Sequence, residues 1–288
     1  MTSPFAHGFA AARAALLWLV LAVVLAGCTT STEVLEARQF VEQQQPTRFA
    51  AIVVDGHSGR TLFSENASSL RYPASLTKMM TLYMLFEALE TGRISKESEI
   101  PVSAHAAGQP PSKLGIKAGT TISVDTAIRA LAVKSANDVA VAVAEYLGGT
   151  EDQFASMMTA KARSLGMTST RFANASGLHD PRQVTTAFDM AKLGLALRRR
   201  FPAYFGYFSL RSFSDGSRTI AGHNKALDMI AGADGIKTGY TRASGFNLVT
   251  SVSRSGKLMV AVIMGEDSAR TRDARMAAMV QANFAKLK

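Results

Sequence analysis

The sequence predicts an α+β fold: an antiparallel sheet flanked by helices, plus a mostly helical subdomain lying between its strands. Three observations carry this prediction. Short β-type runs stand at both ends of the chain beyond residue 48, around 48–63 and again after about 206. Between them, from Ser75 to about Arg199, apolar residues recur at helical spacing. A further helical pattern follows the last strands, at 272–287. Strands at both ends with helices in the middle assemble most economically as one sheet whose face the helices cover. With 288 residues, 47% of them hydrophobic and 19% charged, the chain can bury one large core or two small ones and does not resemble a disordered chain.

In chain order, Ala51–Val54 and Thr61–Phe63 are short strand-like runs split by D-G-H-S-G, which reads as a hairpin. The helical segments are 75–91, 123–133, 137–147, 151–165 and 185–200, bounded by turn-forming residues such as Gly92 and Gly148-Gly149. Asp125 suits the first turn of a helix that Ser123 caps. Further on, FGYFSLRSF (205–213) is a strand candidate. FNLVTSV (246–252) and KLMVAVIMG (257–265) flank the turn S-R-S-G. No internal repeat and no low-complexity segment interrupts this order.

The N-terminus carries a different signal. Residues 14–26, AALLWLVLAVVLA, form an apolar run after Arg13 that is short for a bilayer-spanning helix and right for the core of a signal peptide. The run ends in L-A-G-C, which resembles the lipobox of bacterial lipoproteins, where cleavage before the cysteine leaves it diacylated. Cys28 is the only cysteine, so no internal disulfide is available, and lipidation would use up the thiol. A plain cleaved signal or a retained anchor remain open beside that reading. The expected organisation is a signal peptide over 1–27, a polar tether over 28–47 and a folded domain over 48–288, with its helical subdomain at about 75–200. The formal charge of +10 would suit an anionic partner. Lys and Arg are dispersed, however, apart from Arg198-Arg199-Arg200, and no nucleic-acid motif is present, so nucleic acid is not an expected partner.

Three short motifs carry the chemistry. Ser75 and Lys78, in S-L-T-K, sit three apart and so share a helical face. A lysine moved out of water loses its proton or finds partners, and a neutral lysine beside a serine can take the hydroxyl proton as that serine attacks a carbonyl. Alone, S-x-x-K fits an ordinary helix start equally well. Ser135-Ala136-Asn137 alone fits a helix break and cap. Lys237-Thr238-Gly239, inside DGIKTGYT, alone fits a turn with an incidental lysine, although the glycine would let a ligand approach an edge strand closely.

S-x-x-K, then S-x-N, then K-T-G, in that order and with a mostly helical insert, is the signature of penicillin-binding proteins and serine β-lactamases. The chain resembles the D-alanyl-D-alanine carboxypeptidases, the low-molecular-mass penicillin-binding serine peptidases. VVDGHSGRTLFSENA, RYPASLTKMMTLYM, LAVKSANDVAVAVAE, FANASGLHDP and DGIKTGYTRASGFNLVTSV all look like family blocks, over roughly 45–285. The resemblance implies a DD-peptidase/β-lactamase-like fold and removal of the terminal D-alanine from peptidoglycan stem peptides through an acyl-enzyme. It implies Ser75 as nucleophile, Lys78 as its base and Ser135 as a proton shuttle. Asn137 would bind the substrate amide. Lys237, Thr238 and Arg272 would serve the substrate's terminal carboxylate, with Arg270 a nearby alternative to Arg272. Gly239 would allow close approach, and the backbone N–H groups of Ser75 and Tyr240 would form the oxyanion hole.

The resemblance further implies β-lactams as covalent inhibitors, no cofactor and no metal; His57, His105, His179 and His223 are scattered without ligand spacing and are expected to be structural. Class A β-lactamases add a glutamate that drives deacylation, and no Glu lies between Gln153 and Leu258. A DD-endopeptidase or transpeptidase uses the same motifs, and a non-catalytic peptidoglycan-binding scaffold is the rival of another class. Many relatives carry a second, strand-rich domain and an amphipathic C-terminal helix after this region. Here a lipid on Cys28 would provide the attachment, on the periplasmic face of the cell envelope.

Overall fold

The structure, a computed structural model, describes residues 48–287. The apolar leader, the L-A-G-C motif with Cys28 and the tether lie outside the described residues, as does Lys288. A compact unit begins at Arg48.

Strands β1 (Ala50–Asp55) and β2 (Thr61–Glu65) form the expected hairpin. Helix α1 (Lys78–Glu90) follows a 3-10 turn at Ala74–Thr77. The small pair β3 (Glu99–Pro101) and β4 (Thr121–Ser123) leads into α2 (Val124–Arg129), α3 (Asn137–Gly148), α4 (Glu151–Ser164) and α5 (Ala187–Arg200). After a second small pair, β5 (Ser212–Ser214) and β6 (Thr219–Ala221), come β7 (Ala233–Thr241), β8 (Gly245–Arg254), β9 (Lys257–Glu266) and α6 (Ala269–Phe284).

The main sheet has five antiparallel strands in the order β2-β1-β9-β8-β7. β1 pairs with β9, so strands far apart in sequence meet in the sheet interior. Every residue of β1 is buried because both faces of the sheet are covered. Alternate residues point to opposite faces. Ala50, Ile52 and Val54 join Val260, Val262 and Met264 in the core shared with α1, α3 and α5. Ala51 and Val53 join Met259, Ala261 and Ile263 against Met276, Met279 and Val280 of α6. A one-residue slip of β1 would exchange these two sets of neighbours, which fixes the register.

Helices α2, α4, α5 and α6 start where short polar side chains satisfy their free N–H groups. The Ser123 hydroxyl accepts from Thr126 N as expected, Thr150 caps α4, Thr186 caps α5, and Ser268 with Thr271 forms a capping box on α6.

The 205–213 segment differs from the expected strand. Pro202–Phe205 is helical, Gly206–Ser209 is a 3-10 turn, and only Ser212–Ser214 is strand. Aromatic composition reads as β, but Tyr204 and Tyr207 sit three apart and both stack on Phe86 of α1, at 5.2 and 6.4 Å between centroids. Packing on that ring selects the helical spacing. The 123–133 segment also breaks early: α2 ends at Arg129 and continues as a π-helical turn over Ala130–Lys134. The last helix starts at Ala269 rather than 272, and β7 had no expected counterpart.

Candidate active site

Ser75 lies in the 3-10 turn that begins α1, after Ala74 in the left-handed region at φ 48°. Lys78, the first residue of α1, is fully buried. Its Nζ is 3.3 Å from Ser75 Oγ, 2.7 Å from Asn137 Oδ1 and 2.5 Å from the Ser176 carbonyl oxygen. The Asn137 amide is oriented by its own Nδ2, which donates to Pro110 O at 2.9 Å, so Oδ1 faces the amine as an acceptor. A neutral amine has two N–H bonds and one lone pair. With both N–H bonds directed at Asn137 Oδ1 and Ser176 O, which can only accept, the lone pair is left for the Ser75 hydroxyl. Burial, and then the charge of Lys237, push the Lys78 pKa well below its ordinary value, against the opposing pull of Asp138 and Glu151.

The second wall comes from the π-helical turn, which ends with Ser135 in the left-handed conformation at φ 62°. The Ser135 hydroxyl is buried and has no hydrogen-bond partner among the described residues. Asn137 opens α3 beside it, its backbone N–H donating to Ser112 O at 2.7 Å. Asp138, buried, accepts from the backbone N–H groups of Leu114, Gly115 and Ile116 and so fixes the loop that faces Asn137.

Lys237, Thr238 and Gly239 lie on β7, the edge strand, paired only with β8 in the main sheet. Lys237 is 3% exposed and donates to Thr238 O at 2.9 Å. Burial, and then the Arg272 guanidinium, lower its pKa to about 7. A Cβ on Gly239 would stand 3.1 Å from both Pro73 O and Ser75 N, tighter than side chains normally pack. The glycine therefore lets β7 lie directly on the Ser75 turn. The Tyr240 side chain is 55% exposed and stacks on Phe246 at 4.2 Å between centroids. Arg272 is buried, holding Asp273 Oδ1 through Nε and Nη2 at 2.9 and 2.7 Å, whereas Arg270 is exposed.

A cavity of about 470 Å³ brings Ser75, Ser135, Asn137, Thr238, Tyr240 and Arg272 onto one surface, with Gly239 also on its wall. Lys78 and Lys237 stand behind that lining. Among the described residues, the lining contains no carboxylate.

Several contributors went unread in the sequence. The Ser176 carbonyl on Lys78 is a backbone group, invisible to a motif. Gly177, at φ 85°, would drive a Cβ to 1.9 Å from Ala74 O, so only glycine lets the 173–178 loop pack against the Ser75 turn. Asn247 ties the sheet to that turn by donating to Tyr72 O and Pro73 O at 3.0 and 3.1 Å while accepting from Gly265 N. His223 also lines the cavity.

Similarity to known proteins agrees with this geometry. The chain is 30% identical over 239 residues to the D-alanyl-D-alanine carboxypeptidase DacF of Bacillus subtilis, covering 82% of this chain and 61% of that protein. It is 33% identical over 230 residues to DacA of Escherichia coli, covering 77% and 57% respectively. The chain thus spans about three fifths of the length of these curated relatives. Among solved structures, penicillin binding protein 5 of Haemophilus influenzae aligns with a TM-score of 0.79 at 32% identity, covering 82% of this chain and 70% of that one. Penicillin-Binding Protein D2 of Listeria monocytogenes, solved in a cefotaxime-bound form, aligns at 0.75 and 27% identity, covering 84% and 99%. Residues 38–268, a stretch that contains all three motifs, match the family D-alanyl-D-alanine carboxypeptidase, and the chain belongs to that family.

Proposed function

We propose that this protein is a serine-type D-Ala-D-Ala carboxypeptidase that removes the terminal D-alanine from peptidoglycan stem peptides. The observation that carries the proposal is the Lys78 amine, whose two N–H bonds are taken by Asn137 and Ser176 while its remaining direction meets the Ser75 hydroxyl. The substrate's C-terminal carboxylate goes to the cationic end of the cavity, where Thr238 and Arg272 meet it and Lys237 lies behind. Ser75 Oγ attacks the carbonyl of the penultimate residue as its proton passes to Lys78. The N–H groups of Ser75 and Tyr240 hold the oxyanion. On collapse, the C–N bond breaks and the proton returns through Ser135 to the departing D-alanine amine. Water then attacks the ester on Ser75 with Lys78 again as base, freeing the shortened peptide.

The same cavity accepts β-lactams, whose ring carboxylate and strained amide mimic the substrate. A cavity lined without a carboxylate supports slow hydrolysis of the penicilloyl ester, so β-lactams act as inhibitors. The test is direct. Wild-type protein is expected to release free D-alanine from a peptide ending in D-Ala-D-Ala, and fluorescent penicillin is expected to modify Ser75 within the tryptic peptide Tyr72–Lys78. An adduct without release moves the substrate to cross-linked wall, as for an endopeptidase. Neither adduct nor release leaves the non-catalytic scaffold.

The leader sequence supports an exported protein on the periplasmic face of the envelope, held to a membrane by lipid on Cys28. Among the described residues no helix is long and apolar enough to cross a membrane. Labelled palmitate is expected to enter the wild-type protein and not Cys28→Ala; equal incorporation in both ends the lipid reading.

A further inference from the structure

The three partners around Lys78 differ in how they are held. Asn137 is anchored through its own side chain and Ser75 by its turn, but Ser176 contributes a main-chain carbonyl from the irregular 173–178 loop. That loop needs its own anchors for the carbonyl to stay on the amine. Thr81 of α1 donates its hydroxyl to Ala175 O at 2.8 Å, and Asn174 Oδ1 accepts from Gly177 N at 2.8 Å. Gln183 holds the start of the loop, its Oε1 accepting from Ala173 N and Asn174 N at 3.1 and 3.3 Å. The anchor at the Ala175–Ser176 peptide itself is charged: Glu151 Oε1, at the start of α4, accepts from Ala175 N at 3.0 Å. Its other oxygen lies 3.4 Å from His105 Nε2, and the carboxylate's side chain is 17% exposed.

We propose that Glu151 is a positioning residue for acyl transfer: its carboxylate locks the Ala175–Ser176 segment so that the Ser176 carbonyl occupies one N–H of Lys78 and leaves the lone pair on Ser75. The inference rests on the role given to Lys78 above. Glu151 neither lines the cavity nor touches Ser75, so it acts through the loop and through its charge. With this anchor lost the Ser176 carbonyl shifts on the amine, a Lys78 N–H rather than the lone pair can turn toward Ser75, and the base is misaligned. The charged groups that bear on Lys78 are Lys237 from β7, Asp138 from α3 and Glu151 from α4. His105 is the titratable group that faces Glu151 itself.

Two variants separate the lock from the charge. Glu151→Ala removes both. Glu151→Gln keeps a carbonyl oxygen for Ala175 N and removes only the negative charge. The readout is the second-order rate of acylation by fluorescent penicillin across a pH series, normalised to active sites, with His105→Gln run alongside because His105 faces the Glu151 carboxylate. Glu151→Ala is expected to lose about 10²-fold at the high-pH plateau, the scale of a misplaced reacting group. Glu151→Gln is expected to hold the plateau within a few fold while its acidic limb moves to lower pH, because the lost carboxylate had favoured the protonated amine. His105→Gln is expected to leave the plateau unchanged.

A merely structural Glu151 would lower the melting temperature of both variants and leave rate per active site and limb where they are in wild type; that outcome overturns the proposal. If Glu151→Ala does not fold, Glu151→Asp, whose shorter arm draws the carboxylate back from Ala175 N, takes its place; a plateau at the wild-type level per active site then overturns the proposal. Absence of labelling in the wild type itself would instead defeat the acyl-transfer reading, and this inference with it.

Discussion

Lys78→Met is expected to lower the rate of acylation by β-lactam and by D-Ala-D-Ala peptide about 10²–10⁴-fold, the usual worth of a positioned general base, while the fold survives. Methionine is close in length to lysine and suits the apolar surroundings, so the cost falls on Asn137 Oδ1 and Ser176 O, each left without its donor. The pH profile distinguishes loss of the base from distortion. In wild type the rate should climb with pH as Lys78 passes through its depressed pKa, then level off when the amine is neutral. The direction follows from burial and from the Lys237 charge, both of which favour the neutral form. The residual rate of the variant should show no such step. A variant that keeps the wild-type limb at reduced height would mean that another group is the base.

Lys237→Met is expected to make the protein more stable and a worse catalyst. A lysine held at 3% exposure with a pKa lowered to about 7 is stored at a cost. The ordinary value is 10.5, so between about pH 7 and 10.5 the unfolded chain binds a proton that the folded one has released. Stability supplied by this position therefore rises with pH across that window and is lowest below about pH 7. Replacing the buried charge by an apolar group should raise stability at neutral pH by roughly 1–4 kcal/mol and flatten the rise. Denaturant midpoints of both proteins at neutral and alkaline pH measure this; a less stable variant at neutral pH contradicts it. Losing the cation proposed to stand behind the substrate carboxylate should cost about 2–5 kcal/mol in kcat/KM. Because Lys237 also lowers the Lys78 pKa, the acidic limb of the variant should move to higher pH, opposite to the shift expected for Glu151→Gln.

How much of this was legible in the sequence depended on where the chemistry resides. Ser75, Lys78, Ser135, Asn137 and Lys237 could be named because each contributes a side chain of a fixed type at a fixed spacing. The sheet strands at 246–252 and 257–265 could be read because apolar runs cover both faces of a buried strand. What escaped was held by main chain or by distant partners. The Ser176 carbonyl has no residue signature. Asp138 reads as one more helix-start carboxylate until its three backbone donors from residues 114–116 are seen. β7 carries two glycines and no alternation, and is a strand because β8 and the Ser75 turn hold it. At 205–213 the aromatic composition suggested a strand, whereas the three-residue spacing that stacks Tyr204 and Tyr207 on Phe86 was the better guide.

The approach of Gly239 to Ser75 has a consequence for assembly. The cavity draws on residues near 75, 135, 177, 239 and 272, separated by most of the chain, and the strand bearing Gly239 has hydrogen-bonded support in the main sheet on one side only. No local fragment contains it, and no partly docked sheet completes it. Contacts of such long sequence separation are paid for late, after the loops between them have closed. A penicilloyl adduct on Ser75 would therefore report finished tertiary structure, counting only those molecules in which the Ser75 turn and the C-terminal strands have come together.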